Sequence, residues 1–274
     1  MPELPEAETI VRDLRRHVTE RTVTGLRVIH ADILAPNLSP DDLAHALVGR
    51  RIEEIARRAK NIVFRFEGGP ILVVNLGMTG RLVVSTAPRA SELRHVAVRF
   101  DLDGGDALLY DDVRRFGRFD LYSPEQWKER EAEFGVEPLS DAFTAERLHE
   151  LTSRSRSPIR NWLLDQRRIA GIGNIYANEA LFRARVHPAR PANTLTKQEA
   201  ARLRDALRDV LREAIEVRGT TLRDYRDASG EAGGFEPLLK IYGREGEPCP
   251  VCGTPIERLV LGNRSAFFCP RCQK

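Results

Sequence analysis

Two sets of residues in this chain have the types and the spacing to do chemistry. The first is Cys249, Cys252, Cys269 and Cys272, which read C-x2-C-x16-C-x2-C. Each C-x2-C pair can present two thiolates to one ion from a tight turn, here helped by Gly253, and two such knuckles close a tetrahedron. Four protein ligands leave no position for water, so the pattern implies one structural zinc. Two disulfides or free thiols are the alternative, but all four cysteines lie at the C-terminal end, which argues against a disulfide framework spread through the fold. Between the pairs, Gly262-Asn263 reads as a hairpin tip followed by Arg264, a cation well presented for a phosphate.

The second set opens the chain: Met1-Pro2-Glu3-Leu4-Pro5-Glu6-Ala7-Glu8. Removal of the initiator methionine, which a proline in second place permits, leaves Pro2 with a free secondary amine. An ordinary α-amino group titrates near about 7.7–8.0. A pyrrolidine amine starts higher and needs burial or a neighbouring cation to bring it down. Attack of such an amine on a sugar's anomeric carbon gives, once the ring C–O bond opens, an iminium with no N–H proton to lose. It stays cationic and acidifies the adjacent carbon for elimination. Glu3 can shuttle protons to the ring oxygen and back. Without other information the same stretch also reads as an acidic helix N-terminus with favourable dipole placement.

The elements that must carry these groups follow from periodicity. A helix is predicted from about Pro5, with Ile10, Val11, Leu14 and Val18 at helical spacing. From about Val23 to Tyr122 the pattern is that of strands: Ile62, Phe64 and Phe66 alternate, as do Val96, Val98 and Phe100. Asp103-Gly104-Gly105-Asp106 reads as a hairpin turn. Short strands with turn signals suggest an antiparallel sandwich or barrel. Residues 123–138 are charged and read as a linker. Helices are predicted next: one capped by Thr144 with Leu148 and Leu151, one starting at Ser157-Pro158, and one opened by Gly171-Ile172-Gly173-Asn174 and running through Phe182. Thr196 and Glu199 form a capping box for a helix whose stripe Leu203, Leu207, Val210, Leu211 and Ala214 reads as core, with Gly219 as its stop. Residues 220–237 read as a mobile, glycine-rich loop. The resulting division is 1–125, 136–237 and 238–274, in an α+β fold.

The 274 residues suit two domains and a small appendage, and either half can bury its own core. Lys and Arg total 43 against 40 acids, a net charge of +3 that admits nucleic acid without requiring it. Placement is more telling. Arginines cluster at 114, 115 and 118 and at 154, 156, 160, 167 and 168, while acids dominate 125–137, the patchiness expected of a phosphate binder. No apolar run approaches the roughly 20 residues that span a bilayer, and the acidic start is no secretory signal. No membrane role is expected, and the cytosol, at the nucleoid, is the expected location.

PELPEAE at the start, RRAKN at 57–61, LGMTGRL at 76–82, RRFGRF at 114–119, GIGNIYANEALF at 171–182 and IYGREGEPCPVCG at 241–253 occur together and in order. So placed, they closely resemble the formamidopyrimidine-DNA glycosylase family, bacterial enzymes that excise oxidised purines such as 8-oxoguanine. The resemblance covers essentially the whole chain. It implies an N-terminal two-layer antiparallel β-sandwich with an N-terminal helix, a helical helix–two-turn–helix domain and a C-terminal zinc finger. It further implies a monomer acting on damaged double-stranded DNA in base excision repair, as glycosylase and abasic-site lyase.

Carried over residue by residue, the resemblance makes Pro2 the Schiff-base nucleophile, Glu3 the general acid and Glu6 a structural support. It makes Lys60 the lysine that reaches the lesion and its phosphate and donates a proton in β-elimination, and Arg264 the arginine of δ-elimination. Asn174 and Tyr242 become phosphate contacts, as do His95, Arg154, Arg156 and Arg160, whose contribution falls with salt. Met78, Arg114 and Phe116 match the family's triad that fills the gap left by the extruded base. The chain departs from the family pattern at Asn75, where His is usual, at Asp112-Val113, where Asp-Pro is usual, and at Arg160, where Lys is usual. The lesion-reading loop is expected near Gly230 to Gly234. Two other readings are an endonuclease VIII-type enzyme for oxidised pyrimidines and a non-catalytic damaged-DNA-binding protein.

Overall fold

The computed structural model describes residues 2–85, 93–221, 225–228 and 231–274. These form two compact units, Met1–Ala132 with Val217–Gly234, and Glu133–Glu216 with Phe235–Lys274. The first begins with α1 (Leu4–Val18), whose Ile10, Val11, Leu14 and Val18 are fully buried, as their spacing predicts. Then come β1 (Val23–Val28), α2 (Pro40–Leu47), β2 (Ile52–Arg58), β3 (Asn61–Phe66), β4 (Ile71–Asn75), β5 (Arg81–Ser85), β6 (Val96–Leu102), β7 (Ala107–Asp111) and β8 (Arg118–Tyr122). They make two antiparallel four-stranded sheets, in the orders β1-β6-β7-β5 and β2-β3-β4-β8. One apolar core joins them, with Tyr110 of β7 edge-on to Phe119 of β8 at 4.9 Å and Phe100 of β6 stacked on Phe119 at 6.5 Å. Of the sandwich and the barrel, this is the sandwich.

Residues 123–138 are not a plain linker. Pro124–Ala132 form a helix, α3, started by Ser123, whose Oγ accepts from the Gln126 N–H (3.3 Å) and whose N–H donates to Gln126 Oε1 (2.8 Å). Its only buried side chain is Trp127, so no apolar stripe marks it in the sequence. The stretch after Gly219 also differs from expectation. Thr220 bridges to Gly234, and Tyr225 and Ala228 are buried in the core of the first unit. Within 136–237, expected as one domain, Val217–Gly234 thus fold with the first unit. Gly230 lies outside the described residues.

The second unit holds α4 (Ala145–Ser153), α5 (Ile159–Leu164), α6 (Asn174–Ala184) and α7 (Lys197–Glu216), then the hairpin β9 (Glu257–Leu261) and β10 (Arg264–Phe268). Thr144 caps α4 by accepting from the Arg147 N–H at 3.1 Å. Helix α5 starts one residue later than expected: Pro158 is its extended N-cap, held by a bridge to Pro191. Helix α7 ends before Gly219, because Arg218 already has φ +66.

The box before α7 is an electrostatic anchor. The Glu199 carboxylate accepts from the Thr196 N–H and receives the Arg190 guanidinium on both oxygens, at 2.6 and 2.7 Å. Arg190, more than offsetting the cost of burial, lowers Glu199 to about 2. A carboxyl whose folded value lies below its unfolded value stabilises the fold above about pH 4.5. That contribution, at most about 3 kcal/mol, disappears as the pH falls from about 4.5 towards 2. Denaturant unfolding across this range should show wild-type stability converging on that of Glu199→Gln; parallel curves would rule the anchor out.

Candidate active site

At the start of the chain, Pro2 is buried and Glu3, 2% exposed, is the N-cap of α1. The Glu3 N–H donates to Glu6 Oε2 at 2.7 Å, and the other Glu6 oxygen accepts from the Thr220 N–H at 2.8 Å. Glu6 therefore ties the residue beside Pro2 to the returning segment 217–234. That segment must pass close. A Cβ on Gly219, whose φ is +86, would lie 2.8 Å from Glu6 Oε1, so only glycine fits. Burial, and then the charge of Glu6, pushes the Tyr225 hydroxyl above its usual range. Arg218 clasps Asp13 of α1 and Asp227 together.

Lys60 lies half-buried in the two-residue turn between β2 and β3, not merely ahead of a strand. The preceding Ala59 is 1% exposed with φ +56, a left-handed conformation that costs an L-residue about 1–2 kcal/mol. Arg57 holds the turn by donating to Ala59 O (3.0 Å), while its Nε donates to Glu8 Oε2 of α1 (3.1 Å). Burial raises the Glu8 carboxyl, but Arg57 and Arg12 together bring it below its ordinary value, so it remains an anion and the tie holds. Beyond the turn, Asn75 Nδ2 donates to Asn61 Oδ1 (2.9 Å) and Asn75 Oδ1 accepts from the Gly77 N–H (3.0 Å). The asparagine that replaces the usual histidine thus fastens the Lys60 hairpin to the Met78 loop.

Met78, Arg114 and Phe116 sit on two neighbouring turns, 76–80 and 112–117. Met78 is 38% and Phe116 57% exposed, and the Arg114 guanidinium lies 4.5 Å from the centre of the Phe116 ring. An exposed phenyl between arginines is no core residue. His95 is exposed as well, its backbone N–H fixed by Asp111 Oδ1 at 2.8 Å.

In the second unit, Gly262 and Asn263 both have positive φ (+54 and +63), the two-residue turn that matches strand twist, and it presents exposed Arg264 at the head of β10. Arg160, expected on a phosphate, is 1% exposed. Its guanidinium donates to Leu261 O (2.9 Å) and Ser265 O (2.8 Å), one on each strand, and to Asn161 Oδ1 (2.9 Å). That expectation is corrected: Arg160 braces the Arg264 hairpin, using a planar fork that a lysine lacks. Burial and the nearby Arg264 charge lower its affinity for a proton. Asn174, first residue of α6, adds a bond to Ser265 O at 3.1 Å. Buried Glu179 accepts the backbone N–H groups of Lys240, Ile241 and Tyr242, and so fixes the entry to the finger; Tyr242 packs edge-on against Phe267. The sequence reading missed Glu179, although an acid followed by Ala180, Leu181 and Phe182 in an otherwise apolar helix stretch could have signalled it. Arg154 is exposed in an ion pair with Glu150, and Arg156 is exposed.

The four cysteine sulfurs all lie within 4.8 Å of one another, with Cys249–Cys272 at 3.9 Å and Cys252–Cys269 at 3.5 Å. A tetrahedron of zinc–sulfur bonds has edges of about 3.8 Å. The residues fit the ion. Cys269 is further fixed by its N–H to Gln273 Oε1 (2.8 Å), and Gln273 Nε2 reaches Val186 O (2.9 Å), which joins the finger to the turn after α6. Among the described residues no helix is long and apolar enough to cross a membrane.

Three family profiles match consecutive stretches: the formamidopyrimidine-DNA glycosylase N-terminal domain over residues 1–119, its H2TH domain over 134–226, and a zinc finger found in FPG and IleRS over 246–274. The formamidopyrimidine-DNA glycosylase of Chloroflexus aurantiacus is 46% identical over 274 residues, covering 100% of this chain and 98% of that protein. Among solved structures, the MutM (FPG) protein of Thermus thermophilus is 43% identical with a TM-score of 0.87, covering 99% of this chain and 98% of that one. A Lactococcus lactis FPG mutant bound to a Fapy-dG containing DNA is 30% identical with a TM-score of 0.92 over 100% of both chains. Full-length identity at this level, with the four-cysteine cluster in place, makes the chain a member of the formamidopyrimidine-DNA glycosylase family, a DNA glycosylase with a zinc finger.

Proposed function

We propose that this glycosylase excises oxidised purines, 8-oxoguanine and formamidopyrimidines, from duplex DNA and then cuts the strand at the resulting abasic site by β,δ-elimination. With the initiator methionine removed, the Pro2 amine attacks the anomeric carbon and the base departs. Glu3 delivers a proton to the ring oxygen, the ring opens, and the iminium on Pro2 draws the adjacent C–H electrons into elimination of the 3′ phosphate. Lys60 serves as proton donor in this step, and Arg264 assists loss of the second phosphate. Met78, Arg114 and Phe116 fill the vacated stack, while His95, Arg154, Arg156, Asn174 and Tyr242 hold backbone phosphates. The zinc is structural, held by the four thiolates. The observation that carries the reading is the double anchoring of Glu6, to the Glu3 N–H and to the Thr220 N–H, which gives the start of the chain a fixed seat.

The Lactococcus protein has been crystallised both with abasic-site DNA and with an oxidised pyrimidine containing DNA. A preference for pyrimidines is therefore the second reading. Incubation of the mature protein with 8-oxoguanine and thymine-glycol duplexes plus borohydride decides between them. A trapped covalent adduct forming at least about 10-fold faster on 8-oxoguanine is expected. Faster trapping on thymine glycol favours the second reading, and no adduct on either removes both.

A further inference from the structure

Four donors from three places in the chain converge on one carboxylate that the reaction does not touch. Asp112 is 1% exposed. Its Oδ1 accepts from the Thr79 hydroxyl and from the Arg114 N–H (3.2 Å); its Oδ2 accepts from the Tyr110 hydroxyl (3.0 Å) and from the Gly117 N–H (2.9 Å). Each oxygen thus takes one hydroxyl and one backbone amide. Thr79 belongs to the Met78 turn, and the two amides bracket Arg114 and Phe116. The Arg114 N–H also reaches Thr79 Oγ1 at 3.1 Å, so the two turns share a proton network.

Glycines let the turns close on this network. A Cβ on Gly77 would lie 2.4 Å from the Phe116 carbonyl; one on Gly80 would lie 2.2 Å, and one on Gly117 1.6 Å, from the Tyr110 hydroxyl. Tyr110 is fully buried, and burial together with the Asp112 charge pushes its hydroxyl above the usual range, so it remains a donor. The exposed side chains Met78, Arg114 and Phe116 therefore project from two turns that share one buried acceptor, reached by the Thr79 hydroxyl from one and by the Arg114 and Gly117 amides from the other.

We infer that Asp112 is a positioning residue for base extrusion: it sets the two turns that carry Met78, Arg114 and Phe116, and takes no part in breaking the glycosidic or phosphate bonds. This rests on the glycosylase reading above. Asparagine is nearly isosteric but offers only one acceptor oxygen. A hydroxyl facing its NH2 group can rotate and accept, whereas a backbone N–H cannot. With the NH2 group in the place of Oδ2, the buried Gly117 amide is left unpaired; in the place of Oδ1 it faces the Arg114 N–H donor against donor and leaves that amide only Thr79 Oγ1, so in either case a turn must shift.

The test compares wild type with Asp112→Asn on two substrates, an 8-oxoguanine duplex and the same duplex with a preformed abasic site. Stopped-flow fluorescence of a 2-aminopurine beside the lesion reports unstacking. Excision and unstacking are expected to slow by about 30-fold, while nicking of the preformed abasic site, which has no base to extrude, changes less than about threefold. Equal losses on both substrates, or unchanged unstacking, would overturn the assignment. If Asp112→Asn does not fold, Tyr110→Phe and Thr79→Val each remove one hydroxyl donor and should slow excision by about threefold, again sparing the abasic substrate; losses that are absent or equal would count against it. Should wild type unstack the lesion yet cut neither substrate, the glycosylase reading fails, while the unstacking comparison still judges Asp112.

Discussion

Mature protein whose N-terminal amine has been acetylated is expected to lose strand nicking and borohydride trapping by about 1,000-fold or more. It should still bind abasic-analogue DNA within a fewfold of normal. An amide nitrogen has no lone pair for the anomeric carbon, so no iminium would form, whereas the proposed phosphate contacts lie elsewhere. Pro2 is buried beside a Glu3 whose N–H is held by Glu6, so its position is set by the helix cap and not by a flexible tail. A version that keeps Met1 should behave like the acetylated one. Trapping at an undiminished rate by either form, measured on denaturing gels, would mean that the nucleophile is a different residue.

Zinc removal should have the second-largest effect, and it should fall on binding first. Structural zinc contributes apparent binding free energies of about 10–16 kcal/mol in isolated fingers. Here the metal fastens the ends of a segment that includes the Arg264 hairpin. Cys269→Ser, which removes a fully buried ligand, is expected to abolish stoichiometric zinc and to weaken duplex binding by about 100-fold. The hairpin is also held from below, by Arg160 on Leu261 O and Ser265 O and by Asn178 Oδ1 on the Phe267 N–H (2.7 Å). The β-sandwich, whose core includes none of these residues, should melt as before. Metal analysis alongside fluorescence anisotropy checks this. Binding within twofold of wild type after zinc loss would show that the braces alone suffice.

What the sequence disclosed depended on how local the signal was. The helix α1 stripe, the Thr144 cap, the Thr196–Glu199 box and the cysteine spacing each involve residues within a few positions, or one strict pattern, and the structure has them where expected. Helix α3 escaped notice because a single tryptophan is its whole apolar face. Arg160 looked like one more cation in a basic run. What decides its role is a pair of carbonyls about a hundred residues further along the chain, which no periodicity reveals. The seat of Glu6 was hidden for the same reason, since Thr220 is its distant partner. Asp112 stood next to a visible departure, Val113, yet its importance lies in Thr79 and Tyr110 from other turns and strands.

The return of Val217–Gly234 to the first unit bears on how such a protein can be dissected or recombined. A fragment ending after α3 would lack Tyr225 and Ala228 from its interior and would leave Asp13 without Arg218. Chimaeras that exchange the helical lobe between relatives at a single junction would pair one parent's amino terminus with the other parent's clasp. A transplant that keeps the recipient's own 217–234 should yield soluble, active hybrids far more often than one cut once.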